Sequence, residues 1–328
     1  MTLSVAEAHE LVVQTLVRCR TAHSNAVSVA DALIAAERAG QVGHGLRRVP
    51  SYAGQALSGK VDGQAQASAD QHKPGALMVD AGHGFAYPAL ALAMDWLPEA
   101  AKTQGIAVAG ITRSHHAGVA GWFVERLAAD GLVALMFANT PAAMAPWGGA
   151  RPLFGTNPIA FGALIENAAP MVVDLSLSTV ARGKIMAAAQ KGEAIPGDWA
   201  TDADGHPTTD PALALKGMMQ PMGGAKGAAL ALMVEVLAAA LVGANTGSEA
   251  SDFFGAEGAP PGTGQLLLAI DPGAMGGSAG ITRLAGLFQD NGDARLPGQR
   301  RQQIAARVDA EGIELDADLA KQIDALGR

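Results

Sequence analysis

From Gly75 onward the chain carries short apolar runs bounded by glycine, proline or aspartate, at residues 76–80, 106–109, 132–137, 159–161 and 171–174, with a last one at 265–271. Runs this short are strand length rather than helix length. Helical stretches lie between several of them, over 88–103, 119–129 and 178–190, and a long one is predicted over 226–242. Strands alternating with helices predict an α/β layer structure. The N-terminal part differs. Ser4 and Glu7 make a capping pair for a helix reaching Arg20, a second helix spans 25–39 and is ended by Gly40, and a short one with Tyr52 and Leu57 is closed by Gly59. A Gly/Pro-rich loop covers 255–264, the tail is helical, and no internal repeat or low-complexity tract occurs.

The 328 residues are enough for one large fold or two lobes with a cleft between them. Hydrophobic residues make up 49% and charged residues 16%, which excludes disorder. Lys and Arg number 23 against 31 Asp and Glu, a net charge of -8 without any basic block, so neither a nucleic-acid groove nor an anionic membrane surface is expected as a partner. Cys19 is the sole cysteine, which rules out an internal disulfide framework and a thiolate zinc cage and suits a reducing cytoplasm. The N-terminus lacks the pattern of a signal peptide. Residues 228–242 are too few to cross a bilayer and include Glu235, so they read as a core helix.

Despite 41 glycines, the chain contains no Gly-x-Gly-x-x-Gly, so an ordinary Rossmann fingerprint is absent. Gly223-Gly224-Ala225-Lys226-Gly227 is not a Walker loop either, but a glycine-rich approach to a helix N-terminus lets backbone donors and one ammonium meet an anion. The alternative is a tight turn with a solvated Lys226.

His44 and Arg48 are four residues apart and share a face if the segment is helical. A guanidinium can hold a carboxylate in bidentate fashion while a neighbouring imidazole gives or takes a proton. A surface arginine and a histidine bonded to a turn carbonyl are the alternative. Arg47 is read as a solvated neighbour or a contact to a second acidic group. Ser114-His115-His116-Ala117-Gly118-Val119-Ala120 joins a strand to a helix with small residues that admit a ligand close to the backbone. Consecutive strand residues point to opposite faces, and no His-Glu-x-x-His occurs, so no metal is expected. Asp174 ends a strand, as a site residue or as the cap of the next helix. The turn-rich segments around Asn139, Trp147 and Asn157 read as site loops or as scaffolding.

Taken together, the segments His44-Gly45-Leu46-x-Arg48, Ser114-His115-His116, Pro146-Trp147-Gly148, Gly155-Thr156-Asn157-Pro158, Val173-Asp174-x-Ser176, Ala181-Arg182-Gly183-Lys184-Ile185, Pro207-Thr208-Thr209-Asp210-Pro211 and Gly223-Gly224-Ala225-Lys226-Gly227 resemble the malate/L-lactate dehydrogenase family that lacks the Rossmann fold. That family also holds sulfolactate dehydrogenases and piperideine- and pyrroline-2-carboxylate reductases. The resemblance implies a sulfolactate dehydrogenase-like α/β fold: a mixed-sheet cofactor-binding domain over 75–279 and a mostly helical substrate and dimerisation domain over 1–74 plus 280–328. It implies a homodimer with clefts near the subunit interface, NAD or NADP as cofactor, and a small carboxylate as substrate.

By the same resemblance His44 is the proton donor, and Arg48 and Thr156 bind substrate. His116, Ala117, Gly118, Val119 and Ala120, then Val172, Val173, Asp174, Leu175 and Ser176, then Ala225 and Lys226, and finally Arg295, Leu296, Pro297 and Gly298 line the dinucleotide. Imine reductases of the family carry a serine before the histidine and an acid where this chain has Gly43 and Lys184. Their absence favours a 2-hydroxyacid dehydrogenase of malate, lactate or sulfolactate type, with a cyclic-imine reductase or a non-catalytic dinucleotide-binding protein as alternatives.

Overall fold

The protein is described by a computed structural model covering residues 1–327. In chain order its elements are β1 (Thr2–Leu3), α1 (Val5–Arg18), α2 (His23–Arg38), α3 (Val49–Ser58), β2 (Ser68–Lys73), β3 (Ala76–Asp80), α4 (Ala86–Gln104), β4 (Ile106–Ser114), α5 (Ala120–Ala129), β5 (Val133–Ala138), β6 (Ile159–Ala163) and β7 (Met171–Leu175). There follow α6 (Arg182–Lys191), α7 (Pro211–Ala214), α8 (Ala225–Glu235), β8 (Thr263–Ile270), α9 (Ala279–Gln289), α10 (Gln299–Glu311), β9 (Ile313–Glu314) and α11 (Ala317–Ala325).

Seven strands form one mixed sheet in the order β2-β3-β4-β8-β5-β6-β7. Only β3 and β4 run parallel; every other neighbouring pair is antiparallel. This is not the all-parallel order of a dinucleotide fold built from βαβ units. The central strand β8 is buried along most of its length, as its continuous apolar sequence demands. Leu266 and Leu267 belong to two different hydrophobic clusters, which places a core on each face of the sheet. One core packs α4 and α5 (Leu90, Leu97, Phe123, Leu127) against Val79, Ile111 and Ala134, with α1, α2 and α3 joined to it through Leu16, Leu33 and Tyr52. The other holds Val234 and Ala238 with Met144, Phe154 and Ile185.

The predicted strands all form, and β2 is an addition. Its sequence, Ser68-Ala69-Asp70-Gln71-His72-Lys73, is exposed throughout and has no apolar period; pairing with β3 alone holds it at the sheet edge. Charged and polar side chains there keep the edge from pairing with another chain. The first helix has its reciprocal cap: Ser4 Oγ accepts from the Glu7 N–H while the Glu7 carboxylate accepts from the Ser4 N–H. Two predicted helices change length. The one expected from 178 starts at Arg182, and the one expected to run to 242 is α-helical to Glu235 and then makes a π-helical turn, Val236–Ala240.

Candidate active site

His44 and Arg48 meet, but not by sharing a helix. His44 ends one 3-10 turn (Val42–His44) and Arg48 ends another (Leu46–Arg48), with Gly45 between them at φ -96° and ψ -137°. A Cβ on Gly45 would lie 2.1 Å from Oε1 of Glu37, the same oxygen that accepts from the Leu46 N–H at 2.7 Å. Glycine is therefore required at the break. Arg48 folds back so that its Nε donates to the Gly43 carbonyl at 2.9 Å, its guanidinium lies 4.6 Å from the Phe254 ring centroid, and its Nη1 is buried with no hydrogen-bond partner among the described residues. Arg47 points away. It is exposed, and its nearest acid is Asp316 at 3.8 Å.

The two histidines after β4 do not obey strand alternation, because β4 ends at Ser114. Both pack on Phe253, each with ring centroids 5.2 Å away. His115 Nε2 meets Gln55 Oε1 at 2.7 Å, and His116 Nδ1 meets the Tyr52 hydroxyl at 2.7 Å, so both reach the same face of α3. His44 stacks on His116 (5.1 Å, 13°) with Nδ1 3.1 Å from His116 Nε2. Burial, then the charge of Arg48, pushes His44 down to about 4 and His115 down to about 3, with Lys60 adding to the latter. His116 is held well below its ordinary value by burial, Arg48 and the other two rings. Burial likewise pushes Tyr52 up to about 12. This is a cluster of neutral rings beside one permanent cation.

Phe253 and Phe254 are held in place from α3 and its end. Lys60, itself buried, donates through Nζ to the carbonyls of Asp252 (2.8 Å) and Gly255 (2.9 Å), Gln55 Nε2 donates to Gly255 (3.0 Å), and Ser58 Oγ donates to Ala256 (2.6 Å).

The segments expected at the dinucleotide are linked through β7. The Val172 N–H donates to Pro297 (3.1 Å), and Gly298 packs against Val172. Asp174 Oδ2 accepts from the Gly121 N–H (3.0 Å), from Gln41 Nε2 (3.4 Å) and from Arg301 Nη1 (3.4 Å), which joins β7 to α5, to α10 and to the turn that carries His44. Burial raises the Asp174 carboxyl against the lowering effect of Arg301. Val173 and Leu175 are half-buried along β7, Leu296 is buried, and Arg295 is exposed. Of His116–Ala120 only Gly118, at φ +66°, is more than slightly exposed.

Beyond the end of β7, Ser176 and Ser178 hydroxyls lie 3.2 Å apart, the Leu177 N–H donates to Thr156 (2.8 Å), and the Met222 N–H donates to Leu177 (2.8 Å), just before Ala225 and Lys226 open α8. Thr156 lies beside Thr140, whose Oγ1 accepts its N–H at 2.9 Å. No hydrogen bond among the described residues joins Thr156 to His44 or Arg48. A cleft of about 550 Å³ lined by Trp147, Thr201, Met219 and Pro221 lies on this side, and one of about 270 Å³ lies beside Arg301, Trp122 and Arg126.

The residues present suit an anionic dinucleotide. α8 and α10 begin beside the expected segments without a side-chain cap, and glycines at φ +65° (Gly224) and +102° (Gly298) stand at those ends, whereas at α5 the Asp174 carboxylate already accepts from the Gly121 N–H. Helix N-termini with open backbone donors favour phosphate groups. Asp202, Asp204 and His206 bring ligand-type atoms together in an exposed turn, where Asp202 Oδ1 already accepts from the Asp204 and His206 N–H groups.

Residues 3–324 match the family model described as malate/L-lactate dehydrogenase. The chain belongs to that family. It is 47% identical over 326 residues to a (2R)-3-sulfolactate dehydrogenase (NADP(+)) of Chromohalobacter salexigens, covering 98% of this chain and 97% of the relative. The delta1-piperideine-2-carboxylate reductase structure from Pseudomonas syringae superposes with a TM-score of 0.93 at 38% identity, over 99% of each chain. The sulfolactate dehydrogenase structure from Methanocaldococcus jannaschii gives 0.90 at 29% identity, over 99% of this chain and 96% of that one. The family holds NAD(P)-dependent oxidoreductases of 2-oxo and 2-hydroxy acids together with cyclic-imine carboxylate reductases, and NAD or NADP as cofactor is consistent with these relatives.

Several contributors have no site motif in the sequence: Tyr52, Gln55, Tyr87, Phe253, Phe254 and Lys60. One signal was present for the first of them. Tyr52 follows Arg48 at helical spacing, on the helix that Arg48 enters.

Proposed function

We propose that the protein interconverts a small 2-oxo acid and its 2-hydroxy acid with NAD(P), with a sulfolactate-type acid as the leading substrate. The observation that carries this is the Arg48 guanidinium beside His44: Nε is engaged, one face is covered by Phe254, and the buried Nη1 is unpaired. Such a group offers a carboxylate its free end. The nicotinamide supplies the redox equivalent when bound. Arg48 fixes the substrate carboxylate, His44 gives its ring proton to the 2-oxo oxygen and regains one from solvent as the product leaves, the reverse direction running the same transfers backwards, and Phe253 and Phe254 exclude water from one side.

Thr156 is a further substrate contact in this reading. His116–Ala120, the end of β7, Ala225-Lys226 and residues 295–298 bind the dinucleotide, with 75–279 as the cofactor unit and 1–74 plus 280–328 as the substrate and dimerisation unit. We infer a homodimer in the cytoplasm; the exposed apolar residues Leu232, Val236 and Leu241 support the first. No helix among the described residues is long and apolar enough to cross a membrane.

Cyclic-imine reduction is the second reading, favoured by the 0.93 TM-score to the piperideine-2-carboxylate reductase. Assaying pyruvate, oxaloacetate, sulfopyruvate and pyrroline-2-carboxylate side by side with NADH and NADPH separates the two. Turnover of the 2-oxo acids, highest for sulfopyruvate, is expected; turnover of the imine alone would overturn the proposal.

A further inference from the structure

The rings behind His44 form a line of hydrogen bonds that ends in the core. His44 Nδ1 lies 3.1 Å from His116 Nε2, His116 Nδ1 lies 2.7 Å from the Tyr52 hydroxyl, and that hydroxyl lies 3.0 Å from the hydroxyl of Tyr87. Both tyrosines are buried, and Tyr52 is fully so. The fold makes room for this line. A Cβ on Gly118 would sit 2.7 Å from the Tyr87 hydroxyl oxygen, so the absence of a side chain there lets the hydroxyl occupy that position.

A neutral imidazole has one N–H and one bare nitrogen, and each link needs one donor and one acceptor. Burial and the neighbouring Arg48 keep His44 and His116 neutral. Three settings then satisfy every link: all the protons point toward His44, all point away from it, or the ring protons point away while Tyr87 still donates to Tyr52. Each of the last two strands one buried tyrosine hydrogen, that of Tyr87 or that of Tyr52, without an acceptor among the described residues, an unfavourable state. If they point toward His44, Tyr87 donates to Tyr52, Tyr52 to His116 Nδ1, and His116 Nε2 to His44 Nδ1. Every proton in the line is then accepted. His44 Nδ1 is bare, and its own proton sits on Nε2, the nitrogen with no hydrogen-bond partner among the described residues.

We propose that Tyr52, acting through His116, is a positioning residue that holds His44 in the Nε2–H tautomer. This rests on the reading of His44 as proton donor, because Nε2–H is the form that presents a proton outward, to the substrate oxygen. Other ionisable groups near the line are Arg48, His115 with Lys60 behind it, Glu37 against Gly45, and Asp174 with Arg301 through Gln41.

The test is a proton–nitrogen correlation spectrum of the histidine rings in isotopically labelled full-length protein, near neutral pH and without substrate, with His44 signals assigned by their loss in His44→Asn. The wild type is expected to have a protonated Nε2 and a bare Nδ1 on His44. Tyr52→Phe, which removes the donor to His116 Nδ1, should raise the Nδ1–H population, whereas Tyr87→Phe leaves the Tyr52 hydrogen with His116 as its acceptor and should keep the tautomer. Tyr52→Phe should lower kcat about five- to twenty-fold while KM for the acid changes less than about two-fold. A wild-type His44 carrying its proton on Nδ1 overturns the proposal, even if neither variant folds. So does a tautomer that stays at Nε2 in folded Tyr52→Phe. These spectra are independent of the substrate assignment: normal turnover in His44→Ala would remove the proton-donor role and leave the tautomer measurement standing.

Discussion

The guanidinium of Arg48 lies 4.6 Å from the ring centroid of Phe254, a residue more than two hundred positions later in the chain and partly open to solvent. The ring covers one face of the cation and leaves its in-plane donors for a carboxylate. A cation over an aromatic face at an exposed site contributes about 0.5–1 kcal/mol. Phe254→Ala should therefore raise KM for the acid about two- to five-fold with little change in kcat. Steady-state kinetics check this, and an unchanged KM would show that the ring does not help to orient Arg48.

Arg48→Met removes the end-on donors altogether. KM for the 2-oxo acid should rise by roughly a hundred-fold, and inhibition by substrate-like dicarboxylates should weaken in parallel. Unaltered inhibitor affinity would move the carboxylate site elsewhere.

For His44→Ala, turnover should fall at least about a hundred-fold, the usual scale for losing a positioned acid–base group. Stopped-flow measurement of the chemical step, with either nicotinamide, is the direct check. A near-normal rate excludes the assignment.

Glu235 is a structural carboxylate. Its Oε2 accepts from Asn157 Nδ2 at 2.7 Å, and its Oε1 accepts from Asn139 Nδ2 at 3.3 Å and from the buried Gly247 N–H. Glu235→Ala should cost on the order of 2–3 kcal/mol by leaving those donors unpaired, and Glu235→Gln less. Urea unfolding of the two variants measures the difference; equal stability to wild type would mean that the donors find other partners.

Acid should destabilise the fold early. His44, His115 and His116 all have folded values below their ordinary one, so the unfolded chain binds more protons than the folded chain. Their contribution is complete above the ordinary histidine value of 6.5 and is lost as the pH falls from there toward about 4 and about 3. The urea midpoint should begin to fall below pH 6.5, before most carboxylates titrate, and less steeply in His115→Gln. A flat midpoint between these limits would contradict the burial of the three rings.

The strands β3 to β8 were legible because their apolar residues are contiguous and bounded by turn formers. β2 was not, since a run such as Asp70-Gln71-His72-Lys73 has no pattern of its own and becomes a strand only through its pairing with β3. The pairing of His44 with Arg48 was legible from spacing, yet the reason differs: Gly45 breaks the helix and Arg48 turns back onto Gly43. Tyr52 and Tyr87 are 35 residues apart, on separate helices, and their contact exists only once α3 and α4 pack. No local pattern encodes it. Phe253 and Phe254 likewise depend on Lys60, whose burial a sequence does not announce.

The place of β8 between β4 and β5 governs the order of assembly. On the ribosome, β4 and β5 emerge with nothing to bridge them, and each keeps a bare edge until residues 263–270 have been made. The helices of the first part can gather beforehand, but the sheet closes late, through contacts between distant parts of the chain, the kind that slow folding. Chains cut short before Ile270 would be left as two unjoined half-sheets, natural clients for chaperones and prone to clump through those edges.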